Sequence, residues 1–190
     1  MIHKVMSCEI INNLPGIQNK TYLELGIRDN KNFEAINCKE LMSVDINGKA
    51  KFTGTTDEYF ASVTNKRFDI IFIDANHDKE FVVRDFNNSI KIANEWVLIH
   101  DMIPPSVKFT ASKFCSDSFR VLHHILAKTD MVAYPMDENY GLTLIRMPAS
   151  SIELEQDSID LSYKDFVDFM SDRKVYSRSE IIEILRNTNV

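Results

Sequence analysis

The run Asp69-Ile70-Ile71-Phe72-Ile73-Asp74 decides the fold. Four apolar residues in a row leave no polar face, so both sides of this strand are buried, as in a parallel sheet covered by helices above and below. Tyr22-Leu23-Glu24-Leu25-Gly26, Leu41-Met42-Ser43-Val44-Asp45 and Trp96-Val97-Leu98-Ile99-His100-Asp101 read the same way, and a weaker strand is predicted over 51–53. Helical periodicity fills the gaps. A turn is predicted over 32–37, a helix over 56–63 with Thr56 as a cap, and a helix over 78–94, where Phe81, Val82, Phe86, Ile90 and Ala93 recur at three- and four-residue steps. This alternation is the signature of an α/β fold. Past Pro104-Pro105 the spacing predicts a helix over 116–127, then strands over 131–134 and 142–146, whose short connection permits only antiparallel pairing. Beyond Pro148 the character changes: Ala149-Ser150-Ser151 reads as a linker, followed by helical patterns over 163–170 and 179–186, with Ser179 as a cap. The expected division is a domain over 1–148 and a helical appendage over 149–190, packing on the domain or on a second copy in a homodimer.

The 190 residues amount to one domain, and 44% hydrophobic with 26% charged residues is an ordinary globular composition. Against 22 Lys and Arg stand 28 Asp and Glu, a net charge of −6 with no basic cluster, which argues against nucleic acid or an anionic membrane surface as partner. Cys8, Cys38 and Cys115 are widely spaced and read as reduced packing residues. Polar residues interrupt the first sixteen positions, so no signal peptide is expected. No later apolar run approaches the roughly 18 residues of a membrane span. The expected compartment is the cytoplasm.

In an open parallel sheet, ligands bind beyond the carboxyl ends of the strands. Here those ends carry Glu24-Leu25-Gly26, Asp45, Asp74 and His100-Asp101. Asp45 follows Glu24 at the distance where a βαβ unit places an acid against ribose hydroxyls. A dinucleotide would require several glycines to close on pyrophosphate, whereas Gly26-Ile27-Arg28-Asp29-Asn30-Lys31 offers one glycine and an extra acid. That disfavours an NAD-linked oxidoreductase. S-adenosyl-L-methionine has the ribose and adenine but no phosphate, and its positive sulfonium and ammonium groups suit carboxylates. The bland reading makes each acid a solvated strand end.

Taken together, these segments resemble a class I S-adenosylmethionine-dependent methyltransferase of the small-molecule O-methyltransferase branch, which includes sugar, macrolide and catechol O-methyltransferase-like enzymes. Tyr22 to Gly26 resembles the family's E-x-G-x-x-x-G motif, with Asn30 where a later glycine is usual, and Ser43-Val44-Asp45 its ribose-binding acid. Phe68 to His77 is similar to the F-I-D-G-x-H segment and Val97 to Asp101 to the fifth-strand ending. The resemblance implies a Rossmann-like, doubly wound, mostly parallel seven-stranded sheet ending in an antiparallel hairpin. It implies cofactor contacts from Glu24, Gly26, Asp45, Thr56, Asp57 and Asp74, with Thr56 and Asp57 flanking adenine.

Methyl transfer to a hydroxyl needs in-line attack and removal of the hydroxyl proton. His77 is the expected base, and its structural alternative is a loop histidine bonded to backbone. His100 is either a second base or a strand-end hydrogen bonder. By resemblance to metal-dependent relatives, Asp74 and Asp101 would share Mg²⁺ or another divalent cation. Met102 stands where a third oxygen ligand is usual, so Asn76, Asp78 or water would have to complete the set. The adjacent His123 and His124 point about 100° apart on a helix and are read as structural or acceptor-lining. The expected activity is O-methylation of a small molecule, with sugars favoured by resemblance and the acceptor pocket built from 102–114 and the appendage. The missing ligand motivates an alternative, a catalytically impaired S-adenosylmethionine-binding regulatory module.

Overall fold

The computed structural model describes residues 7–138, 140–147, 153–155 and 160–187. Strands β1 (Thr21–Leu25), β2 (Glu40–Asp45), β3 (Phe52–Thr53), β4 (Phe68–Ile73), β5 (Ala93–Ile99), β6 (Ala133–Met136) and β7 (Leu142–Arg146) form one sheet in the order β3-β2-β1-β4-β5-β7-β6. The first five are parallel, and β7 runs antiparallel to both β5 and β6. This is the expected α/β architecture with its terminal hairpin. The register aligns Leu25 with Val44 and Ile73, and Ile73 with Ile99, so the residues that follow β1, β2, β4 and β5 emerge along one edge.

Alternation along the central strands feeds two cores, which is why their sequences are apolar throughout. Leu23, Leu25, Ile71, Ile73, Val97 and Ile99 face one side, under Val82, Val83 and Phe86 of α4 (Lys79–Ile92) and Val121, Leu122 and Ile125 of α5 (Phe119–Lys128). Tyr22, Ile70, Phe72, Trp96 and Leu98 face the other, under Ile10 and Ile11 of α1 (Ser7–Ile11) and Phe33 of α2 (Lys31–Glu34). Cys8 and Cys115 are buried, Cys38 is half-buried, and all three are free thiols. No helix among the described residues is long and apolar enough to cross a membrane.

Element ends differ from the sequence reading for local reasons. Helix α3 (Thr56–Ser62) is capped by Thr55, not Thr56: the Thr55 hydroxyl accepts from the Glu58 amide while Glu58 returns to the Thr55 amide. Helix α5 starts three residues later than expected because Ser116 takes a left-handed φ of 50°, which no helical residue can hold. Strand β6 is shifted by two residues and includes Pro135, tolerated because β6 is an edge strand and Pro has no N–H to leave unpaired. Helix α7 (Arg178–Asn187) is preceded by Ser177, whose hydroxyl accepts from the Glu180 amide and so takes the capping role expected of Ser179.

The proposed linker, 149–151, lies outside the described residues, but the helices beyond it are built into both cores. Phe166 of α6 (Tyr163–Ser171) is buried against Phe119, with ring centroids 5.1 Å apart. Ile181 and Leu185 of α7 join the opposite core, and the Tyr176 amide donates to the Pro135 carbonyl at 2.8 Å. The tail therefore straddles the end of the sheet. Replacing a buried Phe by Ala costs about 3–5 kcal/mol. Phe166→Ala is expected to lower the unfolding free energy of one cooperative urea transition by that amount, whereas an independent appendage would leave the main transition unmoved.

Candidate active site

The edge that collects the strand ends is tightest at Gly26. Its φ is 85°, and a Cβ there would lie 2.3 Å from the Asp74 carbonyl oxygen and 2.6 Å from the Ala75 Cα, so only glycine allows the chain after β1 to cross the end of β4. The loop beyond is held by Asp45 at the end of β2, whose Oδ2 accepts from the amides of Ile27 (2.8 Å) and Arg28 (3.1 Å) while Oδ1 accepts from Asn47 (2.9 Å). Asn30 takes φ 70°, a left-handed conformation that asparagine tolerates, which explains how it replaces a glycine at the start of α2.

Glu24 does not reach this edge. It is 1% exposed and takes hydrogen bonds at Oε2 from Tyr22 (2.6 Å) and Asn32 (3.1 Å), and Asn32 in turn accepts from the Cys8 amide. It ties α1 and α2 to the sheet and is absent from the cavity wall described below, contrary to its expected cofactor contact. The reason is strand alternation, which points Glu24 with Tyr22 into the second core.

Beyond β4 and β5, four side chains converge. His77 Nε2 lies 3.2 Å from Asp74 Oδ1, and His77 Nδ1 lies 3.0 Å from Asp101 Oδ2. His100 Nδ1 is 3.0 Å from Asp74 Oδ1 and 3.2 Å from Asp101 Oδ1. The Phe114 carbonyl can only accept, so the 2.9 Å contact with His77 fixes the proton on Nδ1. Burial pushes the Asp74 carboxyl up, but His100 and His77 more than reverse this and hold it down at about 2. Burial lowers both imidazoles, and the two carboxylates override it: His77 is raised, and His100 is pushed up to about 10. A raised pKa makes the His77 imidazole the stronger base while enlarging its protonated fraction.

Asp101 adopts φ 58°, a strained conformation for a residue with a Cβ, worth about 1–3 kcal/mol. It is over-determined by the Ser118 hydroxyl donating to the Asp101 carbonyl and by the Met102 amide donating to Gly141. Met102 itself is buried in the core. Asn76 accepts from the Asp78 amide and Asp78 from the Ser116 hydroxyl, so one oxygen of each is already engaged.

One cavity of about 1070 Å³ joins the two halves of the edge. Of the expected site residues, Gly26, Asp45, Thr56, Asp57, Asp74, His77, His100 and Asp101 line it. Thr56 also donates to the buried Asp85, and Asp57 pairs with Arg84 at 2.7 Å. The wall also includes Arg28, Lys113, Phe114 and Tyr140, none of which was singled out individually. Lys113 and Phe114 fall in the loop expected to build the acceptor pocket. The appendage contributes no wall residue among those described and instead props that loop, Tyr163 donating to the Pro104 carbonyl at 2.9 Å. His123 packs on Phe169, with ring centroids 4.5 Å apart, and neither His123 nor His124 lines the cavity.

Residues 26–102, which span Gly26, Asp45 and the whole tetrad, match the family described as a methyltransferase domain. This stretch is similar to a methyltransferase domain. Solved structures with a similar fold include a cofactor-bound protein from MTB (14% identity, 75% of this chain and 78% of the other, TM-score 0.56). An O-methyltransferase from Bacillus cereus in complex with SAH is similar over 77% of this chain and 83% of its own, at 14% identity and TM-score 0.54. TomG from Streptomyces achromogenes, an O-methyltransferase in complex with SAM, is similar over 74% and 77%, at 15% identity and TM-score 0.53. No curated protein sequence matches the chain. The matched segment thus supplies most of the cavity wall, while Phe114 and Tyr140 come from beyond it.

Burial, restrained by its bonds from Tyr22 and Asn32, pushes the Glu24 carboxyl up from 4.5 to about 7. A folded pKa above the unfolded one means that the native state binds more protons between those values, so stability falls as pH rises through this window. Relative to Glu24→Gln, the wild-type protein is expected to lose roughly 3 kcal/mol between pH 4.5 and 8. Urea unfolding of both proteins across that range measures it, and parallel curves would contradict the assignment.

Proposed function

We propose that the protein transfers a methyl group from S-adenosyl-L-methionine to a hydroxyl of a small molecule, with sugars or sugar-bearing metabolites as the favoured class. The observation that carries this reading is a continuous cavity that runs from the Gly26–Asp45 loop to the histidine–aspartate tetrad, over a segment similar to a methyltransferase domain. At about 1070 Å³ it is large enough for two ligands side by side, since one drug-sized ligand fills roughly 300–1,000 Å³. The O-methyltransferases from Bacillus cereus and Streptomyces achromogenes, which share the fold, hold SAH and SAM respectively, and this supports the donor.

In this reading Asp45 accepts from the ribose hydroxyls while keeping the Gly26 loop closed, and Thr56 and Asp57 flank the adenine. Asp74 offers negative charge to the positive end of the donor. The acceptor lies against Phe114 and Tyr140 with its hydroxyl at the tetrad. Its oxygen forms a bond to the methyl carbon as the carbon–sulfur bond breaks, the electron pair stays on sulfur, and the proton is lost at the tetrad. The tetrad residues also fit a divalent cation, because His100 Nδ1 and Asp101 Oδ1 are buried without a hydrogen bond of acceptable geometry. Bound among Asp74, His77, His100 and Asp101, such an ion would lower the pKa of a coordinated hydroxyl. The motive for an inactive regulatory module, a missing ligand, is met by the two imidazoles.

Calorimetry with S-adenosylhomocysteine is expected to show one site per chain. Asp45→Ala should weaken binding at least about 10-fold through lost hydrogen bonds and a loosened loop. Asp101→Asn should leave that affinity within about twofold and abolish turnover. Absence of binding, or affinity indifferent to Asp45→Ala, would sink the donor assignment.

A further inference from the structure

We infer that the tetrad is a two-histidine, two-carboxylate metal centre selective for a nitrogen-preferring transition-metal dication such as Co²⁺ or Zn²⁺, and not for Mg²⁺. The inference deepens the proposed function at the same site, yet it concerns metal binding alone and can be tested without donor or acceptor.

Three observations carry it. The first is spacing. A metal–ligand distance of about 2.1 Å puts neighbouring donor atoms about 3.0 Å apart in an octahedron and about 3.4 Å apart in a tetrahedron. Asp74 Oδ1 lies 3.2 Å from His77 Nε2 and 3.0 Å from His100 Nδ1, which is 3.2 Å from Asp101 Oδ1. One ligand atom from each of the four residues falls within 4.8 Å of the others, the extent of a single coordination sphere. The second is orientation. His77 donates Nδ1–H to the Phe114 carbonyl, the outer hydrogen bond that fixes the tautomer of a metal-binding histidine and leaves the Nε2 lone pair directed at the cluster. The third is unmet bonding. Asp101 is 7% exposed, and its Oδ1, like Nδ1 of His100, has no hydrogen bond of acceptable geometry among the described residues. Buried polar atoms in that state are costly unless a ligand completes them. Asp101 also holds a left-handed φ of 58° that aims its carboxylate, a strain the surrounding bonds maintain.

Ligand chemistry then chooses the ion. Mg²⁺ takes oxygen ligands and retains water, and Asn76 and Asp78, the neutral and acidic oxygens nearby in sequence, are engaged elsewhere. Imidazole nitrogen favours later first-row ions in the order Mn²⁺ below Co²⁺. Two carboxylates match the charge of a dication, and two imidazoles supply the remaining donors.

Protein dialysed against chelator should be titrated with Mg²⁺, Mn²⁺, Co²⁺ and Zn²⁺ separately by calorimetry. One Co²⁺ or Zn²⁺ per chain is expected, bound at least about 100-fold more tightly than Mg²⁺, with Mn²⁺ between them. The visible spectrum of the Co²⁺ form should change in His77→Ala, and His100→Asp should narrow the Co²⁺ over Mg²⁺ preference at least about 10-fold. Mg²⁺ binding as tight as Co²⁺, no binding of any ion, or a Co²⁺ spectrum indifferent to both substitutions would overturn the inference. The wild-type ion series decides the matter even if a variant fails to fold. A protein that binds Co²⁺ selectively but not S-adenosylhomocysteine would retire the methyltransferase proposal and leave this one standing.

Discussion

The contact on which the cavity depends is the crossing of Gly26 over the carbonyl of Asp74, where an added Cβ would lie 2.3 Å from that oxygen. It joins the loop after β1 to the first residue beyond β4, and so brings the donor half of the cavity against the tetrad. Parallel register then does the rest. Because Leu25, Val44, Ile73 and Ile99 are aligned across four neighbouring strands, each following residue arrives at the same edge without a long loop to place it. Side chains fixed at strand ends lose little further freedom when a ligand arrives, which is what pre-organised binding requires.

The buried charges divide into two groups with different consequences. Glu24 sits inside the second core with Tyr22 and Asn32, and its raised pKa is a cost of burial that lends rigidity to α1 and α2. Asp74, His77, His100 and Asp101 face the cavity, where opposite charges hold the carboxylate of Asp74 low and the imidazoles high. In the proposed metal centre the same cluster would exchange its protons for a dication, and that exchange is what would make a hydroxyl at its mouth reactive.

The fold was legible because strands buried on both faces must be apolar throughout, as Asp69 to Asp74 and Trp96 to Asp101 are, and because polar residues at their ends stand out against that background. Asp45 and His77 stand out in this way, and both line the cavity. Glu24 was misplaced by the same logic: it lies inside a strand, and alternation, not proximity in sequence, sends it to the core. Lys113, Phe114 and Tyr140 left no periodic trace because they belong to loops and turns whose path depends on tertiary contacts such as Tyr163 to Pro104 and Met102 to Gly141. The left-handed Ser116 shows no sequence signal of its kind, and Asp101 carries only the mild left-handed tolerance of aspartate.

The most direct test of the two-part cavity is a crystal structure of the protein grown with S-adenosylhomocysteine. The ribose diol is expected against Asp45 at the Gly26 loop, with the thioether sulfur turned toward Asp74 and His100. A nucleoside bound elsewhere, or an Asp45 carboxylate turned away into solvent in the complex, would contradict the account.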